Sequence, residues 1–89
     1  MRSQLTAEFR RLFAKLPADV QQRARDTYRN WKVNPAHPGV QFKRVHPRLP
    51  IYSVRIGIGW RAIGLREGDL IVWYWIGSHA DYDVELRRR

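Results

Sequence analysis

The chain has 89 residues, with 17 Lys and Arg against 8 Asp and Glu, and a formal net charge of +9 at pH 7. This length supports a single domain, which we expect to span residues 1–89. The lack of cysteine excludes disulfides, thiolate zinc sites and a cysteine nucleophile, and it suits a reducing cytoplasm, where we expect the protein to act. The longest apolar run, residues 70–77, is too short for a membrane-crossing helix, and the N-terminus has no signal-peptide pattern, so we expect no membrane role.

A net charge this high on a short chain indicates an anionic partner, because self-repulsion destabilises the free protein and a nucleic acid relieves it. The basic residues are mostly arginine, 14 against 3 lysines. Residues 1–45 hold 10 basic and 3 acidic side chains, and residues 46–89 hold 7 and 5. Charge alone leaves three interpretations open: a nucleic acid, the acidic surface of a protein partner, or simple solubility.

Two amphipathic helices are predicted at the start of the chain, separated by Pro17. Their apolar stripes are Leu5, Phe9, Leu12, Phe13 and Leu16 in the first helix, and Val20, Ala24, Tyr28 and Trp31 in the second. Pro35 and Pro38 end the second helix, because proline lacks an N–H donor and restricts the residue before it. The two helices should form an antiparallel hairpin.

From Val40 onward the apolar period changes to two, and turn residues recur at short, regular intervals. The predicted strands are Val40–Val45, Ile51–Gly57, Trp60–Leu65 and Leu70–Ile76. The last strand is apolar on both faces, so it should lie inside the sheet. The predicted fold class is therefore α+β, with an N-terminal two-helix hairpin packed on a four-stranded, mainly antiparallel, twisted sheet. The residues after Gly77 give no clear pattern.

Three glycines and three histidines suggest sites that their spacing argues against. Gly57, Gly59 and Gly64 have G-x-G-x4-G spacing between two predicted strands, where no helix N-terminus is available to bind a pyrophosphate. The histidines at positions 37, 46 and 79 are far apart in sequence, and the carboxylates near the C-terminus form no EF-hand-like loop. We therefore expect neither a metal nor a cofactor.

A pair of arginines marks the predicted hairpin of the two middle strands. If residues 57–59 form its turn, Arg55 lies directly across from Arg61. Like charges opposite each other are destabilising, so this pairing suggests a bound anion. The alternative is that both guanidinium groups splay into solvent or pair with Glu67 or Asp69. On the first predicted strand, residues 43 and 44 point to opposite faces, so at most one of Lys43 and Arg44 should join the arginine pair.

His79 directly follows the last predicted strand, and Tyr82 comes three residues later. A histidine can serve as a general acid or base near neutral pH, and the tyrosine could stack on a nucleobase or orient a phosphate. The alternative for His79 is a structural histidine at the surface.

Several short motifs, read together and in this order, resemble the RelE/ParE superfamily of toxins from bacterial toxin–antitoxin pairs. They are Asn34-Pro35-x-His37-Pro38-Gly39, Phe42-Lys43-Arg44, Tyr52-Ser53-Val54-Arg55-x-Gly57-x-Gly59-Trp60-Arg61 and Trp73-x-Trp75-Ile76-Gly77-Ser78-His79-x-x-Tyr82. The resemblance covers nearly the whole chain and implies a fold of two helices packed on a small antiparallel sheet.

The resemblance implies one of two activities. RelE-like and YoeB-like members are metal-independent endoribonucleases that cut mRNA in the ribosomal A site, whereas ParE-like members poison DNA gyrase and carry no nuclease residues. A third possibility is a catalytically silent module that only binds an antitoxin. Under every one of these interpretations the expected partner is an acidic antitoxin, wrapped around the helices and the sheet edge.

The resemblance also implies roles for particular residues. Arg61 matches the arginine that stabilises charge on the scissile phosphate, His79 matches the histidine general acid of YoeB-like members, and Arg55 matches a further basic residue. RelE-like members have lysines where this chain has Ile51 and Ser53, so the general base does not transfer. The remaining candidates for the base are Lys43 and His46. The predicted substrate-binding residues are Lys43, Arg44 and Tyr82.

Overall fold

The computed structural model describes residues 1–88, and Arg89 lies outside the described part. The described residues contain five strands and three helices. In chain order they are β1 (Arg2–Leu5), α1 (Ala7–Ala14), α2 (Ala18–Val33), β2 (Lys43–Arg44), β3 (Ile51–Ile56), β4 (Trp60–Glu67), β5 (Leu70–Ser78) and α3 (His79–Arg87). The α+β class is as predicted, and the predicted helical hairpin and antiparallel sheet differ in detail. The sheet has one strand more than predicted, and a third helix follows it.

The strands form one mixed sheet in the order β1-β5-β4-β3-β2. Strands β2 to β5 are antiparallel to their neighbours, whereas β1 runs parallel to β5. Because β1 and β4 flank it, β5 lies inside the sheet, as its apolar sequence predicts. Among the described residues, none of the helices combines the length and apolar character needed to cross a bilayer.

The N-terminal strand corrects the prediction that the first helix includes Leu5. Leu5 instead pairs with Trp73 of β5. The helix starts at Ala7 because the Thr6 side chain accepts a hydrogen bond from the backbone N–H of Phe9, at 3.0 Å, which caps the first turn. A four-residue edge strand held by a partner about 70 residues away has too little pattern of its own to be recognised in the sequence.

The first strand after the helices is much shorter than the predicted Val40–Val45, because β2 contains only Lys43 and Arg44. Gln41 has a φ of 50°, in the left-handed region that a strand cannot contain. Val40 is still held against the sheet, since its carbonyl accepts the backbone N–H of Arg55 at 2.8 Å. The strand is thus interrupted just before the residues that pair with β3.

The sheet has apolar residues on both faces, and each face is covered by helix. We call the side covered by α1 and α2 the hairpin face; its buried residues are Val54, Ile56, Ala62, Ile71, Trp73 and Ile76, with Ala24 and Trp31 of α2. We call the opposite side the α3 face; its buried residues are Ile51, Ile63 and Trp75, with Tyr82 of α3. The α3 face also carries the predicted arginine pair.

Candidate functional site

Arg55 and Arg61 lie opposite each other on β3 and β4, which confirms the predicted pairing. Gly77 of β5 is the next residue in the same row, opposite Arg61. Directly opposed residues in an antiparallel pair project from the same face, with Cβ atoms about 5 Å apart. The two arginines therefore lie side by side on the α3 face, at the end of the sheet nearest the Gly57–Gly59 turn.

Both guanidinium groups are anchored to the turn by backbone carbonyls. Arg55 donates from Nε to the carbonyl oxygen of Gly57 at 3.0 Å, and Arg61 donates from Nη1 to Trp60 at 2.8 Å and to Ile58 at 3.4 Å. Each group keeps further N–H donors, because a guanidinium has five. This pattern pre-orients two planar forks toward the same side of the sheet.

No carboxylate neutralises these two half-buried cations within residues 1–88. Glu67 and Asp69, the alternative partners considered from the sequence, lie at the opposite end of β4, where Glu67 pairs with Leu70. Unpaired like charges held next to each other favour an anion that bridges them. The geometry thus supports phosphate binding over pairing of the arginines with acidic side chains.

His79 lies next to this pair because α3 begins against the turn. Its backbone N–H donates to the carbonyl of Gly59 at 2.8 Å. The Ser78 side chain accepts the N–H of Asp81 and caps the helix, so His79 is the first helical residue. The imidazole is half exposed, and its Nε2 lies 3.9 Å from Oδ1 of Asp83. A titratable, solvent-accessible side chain is therefore available beside two cationic donors.

Tyr82 is buried, which does not support the predicted contact with substrate. Only 8% of the residue is exposed, its ring packs against Trp75, and its hydroxyl lies 3.5 Å from Oγ of Ser53. The ring of Trp75 in turn lies over Gly77, where an added Cβ would be only 2.7 Å from Cζ2. Tyr82 thus anchors α3 to the sheet through a neighbouring aromatic ring.

Of the two basic residues on β2, only Lys43 lies on the α3 face. It pairs with Ser53, whereas Arg44 pairs with Tyr52 on the hairpin face. This division is as strand alternation predicts. The Arg44 guanidinium donates to the carbonyls of His46, Arg48 and Leu49 at 3.0–3.3 Å. Arg44 therefore stabilises the loop after β2, and this geometry does not support its predicted contact with substrate.

His46 has a structural position in the same loop. Its Nδ1 accepts the backbone N–H groups of Arg48 and Leu49, at 3.1 and 2.9 Å. An imidazole nitrogen engaged in this way is not open to take a proton from a substrate hydroxyl. Residues 1–88 contain no group of three or more His, Asp and Glu side chains that could hold a metal ion.

The hairpin face, on the other side of the sheet, contains a groove between α1 and α2 with a volume of about 960 Å³. Trp31 and Trp73 line it, and their indole N–H groups are buried without an acceptor in the described part of the chain. Three exposed arginines also line the groove: Arg10, Arg25 and Arg29. No residue of α1 is fully buried, although Phe9, Leu12 and Phe13 pack against the core. The groove therefore has an apolar floor and a cationic rim.

The structure resembles known toxins of toxin–antitoxin systems over nearly its full length. It matches a RelB–RelE antitoxin–toxin complex from Methanococcus jannaschii with a TM-score of 0.73 and 16% identity, covering 91% of this chain and 96% of that one. It matches the RelBE2 toxin–antitoxin complex from Mycobacterium tuberculosis with a TM-score of 0.69 and 17% identity, covering 88% and 96%. A YoeB/ParE toxin from Agrobacterium tumefaciens matches with a TM-score of 0.67 and 16% identity, covering 89% and 99%.

At these identities the structural matches establish the fold alone. No curated protein matches the sequence significantly. The family is established by sequence instead, because residues 18–84, most of the chain, match the family model of the ParE-like toxin domain. The chain therefore belongs to the ParE-like toxin domain family.

Proposed function

We propose that this toxin is a metal-independent, ribosome-associated endoribonuclease that cuts mRNA in the cytoplasm. One observation carries the proposal: Arg55 and Arg61 face each other on the α3 face without a carboxylate partner in residues 1–88, and His79 begins α3 beside the same turn. Two oriented guanidinium forks can stabilise the charge that develops on the phosphate, and the imidazole can act as the general acid, which are two of the contributions that metal-free phosphodiester cleavage needs.

The proposed reaction is an internal transfer within the RNA strand. The ribose 2′-oxygen attacks the adjacent phosphorus, the bond from phosphorus to the 5′-oxygen breaks, and a 2′,3′-cyclic phosphate forms. Arg55 and Arg61 stabilise the negative charge that builds up on the phosphoryl oxygens. His79 donates a proton to the departing 5′-oxygen, so that it leaves as a hydroxyl.

The proton of the 2′-hydroxyl requires a base, for which Lys43 is the proposed residue. The two positions where RelE-like members have lysines are occupied here by Ile51 and Ser53, both 2% exposed. Lys43 pairs with Ser53 from the neighbouring strand, so an exposed amine projects next to one of those positions. Lys43 of β2 can therefore provide the amine that RelE-like members have on the strand corresponding to β3. His46 is less suited because its Nδ1 accepts two backbone hydrogen bonds.

Primer extension on total RNA after brief induction tests the proposal. The wild-type protein should produce discrete, ribosome-dependent cuts in mRNA, and Arg61→Ala and His79→Ala should abolish them while remaining folded. Arg48→Ala removes the same charge from the loop at the far end of β3 and should cut normally. Intact mRNA in growth-arrested cells that express the wild-type protein would contradict the proposal.

Inhibition of DNA gyrase is the second candidate, and the match to the ParE-like toxin domain favours it. The resemblance stated above associates ParE-like members with gyrase. In that case induction should produce DNA cleavage complexes while mRNA stays intact, and His79→Ala should remain toxic. A protein that causes neither effect, but binds an acidic protein tightly, would be a silent antitoxin-binding module.

We also propose that an acidic antitoxin segment covers the groove on the hairpin face. The matched structures include complexes of a toxin with its antitoxin. The apolar floor and the rim of Arg10, Arg25 and Arg29 would suit an apolar segment that carries carboxylates. Arg10→Glu combined with Arg29→Glu should weaken antitoxin binding and its salt dependence. Unchanged affinity in a titration would exclude this groove.

A further inference from the structure

A third arginine reaches the Gly57–Gly59 turn from the other side of the sheet. A Cβ built on Gly57 would lie 3.2 Å from Nη1 of Arg23 and 3.6 Å from its Cδ, so the Arg23 side chain lies directly against the turn. Gly57 has a φ of +60°, and this backbone conformation favours glycine. Arg23 belongs to α2 on the hairpin face, whereas Arg55 and Arg61 lie on the α3 face. Arginines therefore flank the turn on both sides.

Nothing in residues 1–88 neutralises Arg23. Its side chain is exposed and makes no hydrogen bond or ion pair with the described residues. The nearby Asp26 accepts hydrogen bonds from Gln22 and Arg29 instead. Three cations around a three-residue turn repel one another, and a polyanion that contacts both sides of the turn would relieve that repulsion.

The tip of the turn is also open enough for a chain to cross it. Ile58 is 80% exposed, and a Cβ on Gly59 would meet no atom within 4 Å. An RNA strand that contacts Arg61 on the α3 face can therefore continue over the exposed Ile58 toward Arg23. This route runs from the α3 face to the hairpin face around the end of the sheet.

We propose that Arg23 binds a backbone phosphate of the substrate RNA next to the scissile one, where the strand passes over the Gly57–Gly59 turn. This role rests on the proposed ribonuclease function and extends its site onto α2. A guanidinium suits it because its planar fork binds phosphate oxygens in pairs. The contact positions the RNA and carries no information about its sequence.

The test uses a single-stranded RNA oligonucleotide with 2′-O-methyl sugars, which the protein can bind but not cleave. Each phosphate contact to single-stranded nucleic acid contributes about 0.7 to the slope of log K against log salt. We expect Arg23→Gln to lower that slope by about 0.7 and to weaken binding about fivefold at 0.1 M salt. Arg23→Lys should retain most of the slope, and both variants should melt at the wild-type temperature.

Arg48→Gln is the matched control, because it removes one exposed charge at the opposite end of β3. An equal loss of slope in Arg48→Gln and Arg23→Gln would show only a general charge effect and would overturn the proposal. Normal binding by Arg23→Gln, with binding lost in Arg61→Gln, would remove Arg23 from the site and leave the ribonuclease function intact. If the wild-type protein bound neither the oligonucleotide nor the ribosome, the Arg23 contact and the ribonuclease function would both be overturned.

Discussion

Arg55 and Arg61 face each other across β3 and β4 while each donates to a carbonyl of the Gly57–Gly59 turn. The turn therefore does two things at once. It closes the hairpin, and it holds two guanidinium groups in fixed orientations next to the start of α3. Pre-orientation of this kind is what makes charge stabilisation effective, because the donors need no rearrangement when the negative charge develops.

Replacement of Arg61 by alanine should lower the single-turnover rate of RNA cleavage about 10²–10³-fold, the usual effect of removing one pre-oriented donor. Arg61→Lys should recover only part of that loss, because a lysine cannot form the planar two-donor contact. The measurement is a time course on ribosome-bound mRNA at saturating protein. A lysine variant as fast as the wild-type protein would show that charge alone suffices.

His79→Ala should slow cleavage about 10²–10⁴-fold if the imidazole is the general acid. If His79 had a structural role, the substitution would also lower the stability of the protein. We expect no such loss, because the half-exposed ring makes only a 3.9 Å contact with Asp83 and an edge contact with Tyr82. The decisive measurement is the pH dependence of the single-turnover rate. The profile of His79→Gln should differ in shape from that of the wild-type protein, because the substitution removes the proposed proton donor. A profile unchanged by the substitution would assign the acid to another group.

Gly77→Ala should destabilise the protein by about 1–3 kcal/mol, because the new methyl group would lie 2.7 Å from Trp75 Cζ2 and would push the ring away from the sheet. Gly59→Ala is the matched control. A Cβ there meets nothing within 4 Å, so its effect should stay within about 0.5 kcal/mol. Denaturant unfolding of the two variants compares their free energies of unfolding. Equal losses of stability would show that the Trp75 ring can move aside at little energetic cost.

The central hairpin could be predicted from the sequence because its signals are local. Alternation over residues 51–65 and the glycines of the turn define the register that opposes Arg55 and Arg61. Strand β1 could not be predicted, because its four residues acquire their structure from a parallel partner at the other end of the chain. The contact of Arg23 with Gly57 joins a helix to a turn more than 30 residues away, and no periodicity marks it.

The third helix could not be predicted from the sequence, for a different physical reason. Residues after Ser78 contain few apolar side chains, and α3 is fixed mainly by two of them, Tyr82 and Leu86, against the α3 face. Its start was still marked in the sequence, because Ser78 is a helix cap whose partner, Asp81, follows three residues later. The burial of Tyr82 follows from this docking, and a tyrosine three residues after a histidine cannot reveal it.

Tyr82→Phe and Tyr82→Ala separate a structural tyrosine from a substrate contact. The hydroxyl lies 3.5 Å from Ser53 Oγ, at the limit of a hydrogen bond, so Tyr82→Phe should cost no more than about 1 kcal/mol and should leave the cleavage rate within about twofold of wild type. Tyr82→Ala removes a buried ring that packs on Trp75 and should cost about 3–5 kcal/mol. Because α3 carries His79, that loss should also slow cleavage. A stable Tyr82→Phe variant whose cleavage rate is reduced tenfold or more would show that the hydroxyl takes part in the reaction.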